Sequence, residues 1–369
     1  MASEREVREK ERRVREFMAA RGLRALLLKR QANFSWMTGG GLNMVGITTE
    51  MGVASLLVTG ESKFVISNNI EAPRMLREER LDEQGYEIVE FPWYEDREAA
   101  LVAELAGRGP VGSDAPIPGV VNLADEIARL RYSLTPDEIE RFRWLGVKAS
   151  SALEETLIVT QRGEKESEVV ARLCAKLWRD RIDPVTLMAA ADSRVSDFRH
   201  PIPTEKPIDR YLMVSLNARK WGLIVSLTRL VHFGKLPEDL REKYLANVFI
   251  DCTFMAATRP GVLARDVLGR GIEAYREKGR PDEWKLHHQG GAIGYAGRDY
   301  RTDFKTPDLI EENQAFTWNP SITGTKSEDT ILAASDGPEM ITKPILYPTV
   351  RVRVGGILFV RPSILEKSE

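Results

Sequence analysis

The chain reads as an α+β protein in two parts, and three observations carry that reading. Near the start, an amphipathic stretch with Val7, Val14, Phe17 and Met18 on one helical face stops at Gly22 and gives way to the apolar run Ala25–Leu28. In the middle, Thr135 and Glu138 form a capping box with Pro136 at the first helical position, a firm helix start after a strand-and-helix region. After residue 315 the pattern turns to short strands and turns and ends in alternating runs over 349–354 and 357–360. The boundary is therefore set at Leu134, with a smaller α/β domain over 1–133 and a larger one over 134–369.

Taken in order, residues 54–58 and 63–67 read as strands split by the turn at 59–62. Beyond the capping box, Ile139, Phe142, Leu145, Ala149 and Leu153 run down one helical face. Ser167 opens another helix, with Val170, Leu173, Leu177 and Trp178 facing inward. Segments 210–216 and 223–227 are strands, and the turn at Gly222 makes them a hairpin. A long helix follows Lys235, and Pro260 and Gly261 sit in a turn before the next one.

Composition bounds the function. The 369 residues are enough for two or three domains. Lys plus Arg total 53 and Asp plus Glu total 55, and no basic tract interleaved with aromatics calls for nucleic acid. No apolar run reaches the length of a membrane span, and the first residues carry no signal-peptide pattern. Cys174 and Cys252 lie in helical patterns and read as small buried hydrophobes, so a cytoplasmic location is expected.

The chemistry lies in four segments. In 212–229, Gly222, Thr228 and Arg229 keep a register in which Ser215 stands seven residues before the glycine and Ser226 four after it. Segment 287–294 is His-His-Gln-Gly-Gly-Ala-Ile-Gly, segment 316–320 is Phe-Thr-Trp-Asn-Pro, and segment 324–331 is Gly-Thr-Lys-Ser-Glu-Asp-Thr-Ile. Together they resemble the metal-binding segments of the M24 peptidases: the Xaa-Pro aminopeptidases, prolidases, methionine aminopeptidases and the metal-free creatinase. Segment 32–39 similarly resembles a motif after the first strand of that family's N-terminal domain. The resemblance implies a pita-bread C-terminal domain behind a creatinase-like N-terminal domain. It also implies five metal-ligand positions, here Ser215, Ser226, Gly291, Asn319 and Glu328, of which only Glu328 keeps a ligand residue. Two cations about 3.5–4 Å apart require several anionic or imidazole ligands. Serine hydroxyls, an amide and a glycine do not replace them, so no metal and no other cofactor is expected.

Of the four histidines, His200 in 198–204 matches the family's substrate-side histidine and is expected to move a proton, as the equivalent residue does in creatinase. His287 matches a second substrate-side histidine. His288 is expected to point elsewhere if its segment is a strand, so one of this pair orients substrate and the other is structural. His232 reads as a surface or loop residue. Glu328 is the acid candidate, either holding a cationic substrate group or paired with Lys326 on the same strand face. Asn319 and Ser226 are hydrogen-bonding candidates, Arg229 a structural ion-pair residue, and Trp36 and Trp318 core or cleft-wall residues. A serine nucleophile at 215 or 226 is disfavoured, because no nucleophile elbow or oxyanion hole is visible.

The expected function is a metal-independent, creatinase-like hydrolase or lyase acting on a small polar nitrogen-containing molecule. The sequence offers no clear carboxylate-binding arginine, which disfavours creatine itself. The alternatives are a non-catalytic pseudo-peptidase that binds a peptide, metabolite or protein, and an Xaa-Pro peptidase with a metal site out of register. The resemblance also implies a homodimer.

Overall fold

A computed structural model describes residues 3–368. Two compact units are present, one running to Glu138 and including 221–223, the other made of 139–220 and 224 onward. The first unit thus ends five residues beyond Ser133, because the capping-box acid is bound into it. The buried Glu138 carboxylate lies 2.8 Å from the buried Lys10 ammonium, which also contacts Glu6 at 2.5 Å and donates to the Trp36 carbonyl. The buried stripe of helix Glu4–Arg21 is accordingly Glu6, Lys10, Val14 and Met18, with two charged residues where an all-apolar face was expected.

The first unit is built on a six-stranded sheet. Its order is Glu87–Phe91, Lys63–Asn68, Met51–Thr59, Ala25–Arg30, Val111–Ser113 and Val121–Asn122. Ala25–Leu28 is fully buried, as a continuous apolar run requires. The segment after it, Gln31–Met37, is a helix that buries Trp36 completely.

The second unit carries two sheets that matter for the site. One has the order Leu365–Lys367, Leu223–Phe233, Tyr211–Lys220 and Asp183–Ala191. Trp221 and Gly222 both have positive φ between the two central strands, and this allows the tight turn there. The other sheet has the order Tyr300–Arg301, Gly290–Ala292, Ala315–Trp318, Asp329–Leu332 and Glu339–Met340. Helix Glu238–Ala257 supplies Phe254, which stacks on Trp318 with ring centroids 4.8 Å apart. Trp318 also donates to Thr258, so both candidate tryptophans, Trp36 and Trp318, are core residues and not cleft walls. His232 corrects another expectation: it is buried on the strand Leu223–Phe233, with Nδ1 3.1 Å from the Gly234 carbonyl.

A chain of fully buried charges ties these elements together. Arg229 contacts Glu154 of helix Pro136–Val159 at 2.9 Å and Asp329 at 3.0 Å. Arg361 lies 2.7 Å from Asp329 and 2.5 Å from Asp251 of helix Glu238–Ala257. Glu154 also accepts from the backbone of Ile345 and Leu346. Arg229→Met leaves two carboxylates short of a partner in the interior and is expected to cost about 3–5 kcal/mol. Arg12→Met, at an exposed helix-surface pair, is expected to leave stability nearly unchanged. Urea midpoints of the two variants measure the contrast; equal midpoints would show that the buried chain does not hold the second unit together.

Candidate functional site

Hydrogen bonds and strand pairing bring the positions named above, Ser215, Ser226, Gly291, Asn319 and Glu328, to the two sheets, and of their side chains only Glu328 is a carboxylate. Ser215 and Thr228 share a 2.7 Å hydroxyl contact across neighbouring strands, and Thr228 donates to Glu328 Oε2 at 2.6 Å. Thr228 N also donates to the Glu328 carbonyl at 3.0 Å, which fixes the register between those segments. Lys326 Nζ lies 3.1 Å from the same Oε2, and the Arg298 guanidinium lies 3.8 Å from Oε1. Burial pushes the Glu328 carboxyl up, but Lys326, Arg298 and the Thr228 hydroxyl outweigh it and hold the group below the ordinary carboxylate range. Glu328 is therefore an ionised carboxylate already matched by cations of this chain. The expectation that it holds a cationic substrate group gives way to the pairing with Lys326.

Ser226 and Asn319 are buried, and the Ser226 Oγ and Asn319 Oδ1 atoms have no hydrogen-bond partner among the described residues. They are uncharged acceptors and cannot neutralise a pair of dications. Gly291 is the firmest departure. Its φ is +150°, and a Cβ there would sit inside van der Waals contact of the Tyr300 carbonyl and 2.9 Å from Thr302 N. The Gly290–Ala292 strand is pressed so closely against Tyr300–Arg301 that no histidine fits at this position. The donor set does not fit a dinuclear centre.

A second cluster lies beside this one. His200, in the loop after the short helix Arg194–Asp197, presents Nε2 3.1 Å from Nε2 of His287. The His288 ring centroid is 4.3 Å from that of His287 and 5.6 Å from that of His200. Strand alternation does not separate the adjacent pair, because the strand begins only at Gly290 and His287 follows a 3-10 turn. Both rings therefore join the cluster, contrary to the expectation that His288 points away. His287 is 9% exposed and His200 is open to solvent.

Burial and then the Lys326 charge push the His287 imidazole down to about 2. Burial, Arg298 and Arg301 push His288 down to about 4. His200 is lowered by burial and Lys326, with Glu328 acting in the opposite direction. At neutral pH the three rings are thus uncharged and able to accept or donate. Among the leading charges that act on them, Lys326, Arg298 and Arg301 are positive and Glu328 alone is negative. Arg298 stands outside every motif and carries no signal of its own in the sequence. It is partly buried, and its Nε lacks a partner among the described residues.

Two outcomes follow. Gly291→His should lower stability by about 1–3 kcal/mol through overpacking and should not create a manganese or cobalt site, as read by thermal melts and by elemental analysis after metal loading. Acid should erode stability from about pH 6.5 down towards about 4. Above 6.5 neither the folded nor the unfolded histidine is protonated; below it the unfolded chain takes up protons that the folded His288 ring refuses. Histidine proton NMR should place the His288 midpoint near 4, and a midpoint near 6.5 would contradict this environment.

Comparison with known proteins agrees with the architecture. Residues 11–127 match the creatinase/prolidase N-terminal domain family. An uncharacterized peptidase of Staphylococcus aureus strain MW2 is 23% identical over 225 residues, which span 58% of this chain and 64% of that protein. The match thus falls short of two thirds of the relative's own length. The Xaa-Pro dipeptidase from Bacillus anthracis superposes with a TM-score of 0.77 at 20% identity, covering 98% of this chain and 100% of that one. Dipeptidase PepE from Mycobacterium ulcerans gives 0.79 at 15% identity with full coverage of both chains. Residues 11–127 thus form a creatinase/prolidase N-terminal domain, and the chain as a whole shares the fold of the Xaa-Pro dipeptidase and dipeptidase structures.

Proposed function

We propose that this chain is a hydrolase of the M24 architecture that works without the dinuclear metal centre, on a small amide or peptide-like substrate bearing a carboxylate. The observation that carries the proposal is the exchange of charge at the old centre: Lys326 and Arg298 flank Glu328 where two cations would otherwise be held. A cluster with more cationic than anionic groups favours an anionic substrate group, and Arg298 supplies the carboxylate partner that the motifs do not reveal.

Within this reading His200 is the proton-transfer group. It is the solvent-accessible member of the cluster, and His287 lies within hydrogen-bond reach to set its tautomer and orientation. Either ring could donate in that contact, so His287 can pass a proton as well as hold the partner ring. His288 packs against His287, while Asn319 and Ser226 offer free acceptors for substrate N–H groups. The names of the similar proteins support a peptide bond as the scissile bond. The homodimer and the cytoplasmic location implied by the sequence belong to the same proposal; no helix among the described residues is long and apolar enough to cross a membrane.

A second reading has its own support. The closed chain Ser215–Thr228–Glu328–Lys326 satisfies the old centre internally, as a site retired from catalysis would, and leaves a binding protein for peptides or acidic metabolites.

Turnover should be screened with dipeptides and amides, each compared with its carboxamide analogue. His200→Ala should reduce kcat by about 10²–10⁴-fold with the fold intact. Arg298→Gln should mainly raise KM for the carboxylate-bearing member of each pair. Purified protein should carry no manganese or cobalt pair, and chelator should leave turnover intact. Activity that depends on two metal ions per chain, and vanishes with them, would refute the proposal, whereas tight binding of acidic ligands without turnover would establish the second reading.

A further inference from the structure

The geometry points to a single transition-metal site formed by His200, His287 and His288, separate from the lost dinuclear centre, that takes Zn(II) or another divalent ion with a preference for imidazole. None of the three histidines stands at a former-ligand position. One ligand nitrogen from each ring lies within 4.8 Å of the others. Zinc–imidazole bonds of about 2.0–2.1 Å place two tetrahedral ligands about 3.3 Å apart, and His200 Nε2 and His287 Nε2 are already 3.1 Å apart. The third ring has at most about 1.5 Å to travel, within the reach of a small rotation about its side-chain bonds.

A second observation points to a ligand. The Nδ1 atoms of His287 and His288 are buried, and neither has a hydrogen-bond partner among the described residues. A buried polar atom without a partner is costly, and at His288 this leaves a ring nitrogen available to an ion, whereas His287 offers the ion its Nε2. Three imidazoles with one open position is a common zinc donor set.

The surrounding charges decide which ion. Lys326, Arg298 and Arg301 act on these rings, so a dication gains nothing from local electrostatics. Ions held mainly by charge and oxygen ligands, such as Mg(II), Ca(II) and Mn(II), are selected against. Zn(II), Ni(II) and Cu(II), which bind imidazole strongly, are retained. The same cations favour an anion in the open position. A bound ion occupies the His200 lone pair, so the site switches off proton transfer; only this consequence rests on the functional reading above.

The test is a titration of chelator-treated, dialysed protein with Zn(II), followed by calorimetry and by competition with a chromophoric chelator. Co(II) absorption provides a spectroscopic check of tetrahedral geometry. One equivalent of Zn(II) is expected, with Mn(II) bound far more weakly. Even second-sphere partners of a metal site are worth about 10–100-fold in affinity, so His200→Ala and His288→Ala should each weaken binding by at least that much with unchanged circular dichroism. Absence of binding, binding insensitive to both substitutions, or preference for Mn(II) would overturn the site. The activity arm is separate. One equivalent of Zn(II) should inhibit turnover and chelator should restore it. Binding without inhibition upholds the site and refutes the role of His200. Loss of turnover in His200→Ala without Zn(II) binding upholds that role and refutes the site.

Discussion

Arg229 is the interaction on which the rest of the second unit depends. It is fully buried and joins the helix carrying Glu154 to the strand carrying Asp329. Through Asp329 and Arg361 the chain of charge reaches Asp251 on a second helix. Such a network is costly to dehydrate and holds only because every member is matched. Its ends are tuned as well: burial outweighs Arg361 and Ser327 and pushes the Asp251 carboxyl up to about 7, which eases the accumulation of negative charge. Next to Arg229 and Asp329 in sequence, Thr228 and Glu328 meet each other through the Thr228 hydroxyl, 2.6 Å from Glu328 Oε2, and through the Thr228 N–H on the Glu328 carbonyl.

That constraint explains the form the site now takes. A carboxylate held in a nearly buried position must be neutralised. With Ser215, Ser226 and Asn319 uncharged, no set of ligands can retain two dications, and the neutralising charge comes instead from Lys326 and Arg298. Lys326, the last residue of the strand Thr325–Lys326, reaches Glu328 in the link that follows it, and Arg298 reaches it from a loop. Fixed side chains in place of exchangeable ions also change what the site can attract. Lys326 and Arg298 give the surroundings of Glu328 a cationic character that suits an anionic group. The histidines beside it stay neutral because burial, and then the same cations, raise the cost of protonating them.

Much of this could be read from residues alone, and the remainder has identifiable physical causes. The helix start at Thr135 and the strand pair around Gly222 follow from local pattern and spacing. The assignment of Lys10 and Glu6 to a buried face did not, because helical periodicity scores a charged residue as exposed and cannot see that Glu138 arrives from more than a hundred positions away. His288 was misplaced because alternation was applied to a segment that is not yet strand. Arg298 was invisible for a different reason: its importance comes from burial beside Glu328 and from a partnerless Nε, and neither property leaves a signature in a loop sequence.

Gly291 shows why the departure from a dinuclear centre is built into the backbone and is not only a matter of side chains. A serine or an asparagine could be exchanged for an acid with little change in main-chain geometry. At Gly291 the main chain itself has closed over the space a ligand would need, with φ in a region that disfavours any side chain and the Tyr300 carbonyl pressed against the Cα. The Thr302 N–H donates to the Gly290 carbonyl and Asp299 N–H to that of Ala292, so this closure is secured by hydrogen bonds on both sides. Reversing it would require the Tyr300–Arg301 strand to move away, and with it Arg301, one of the charges that keeps the neighbouring histidines neutral. Backbone closure at Gly291 and the electrostatics of the histidine cluster are therefore one coupled feature, because the strand that closes over Gly291 also carries Arg301.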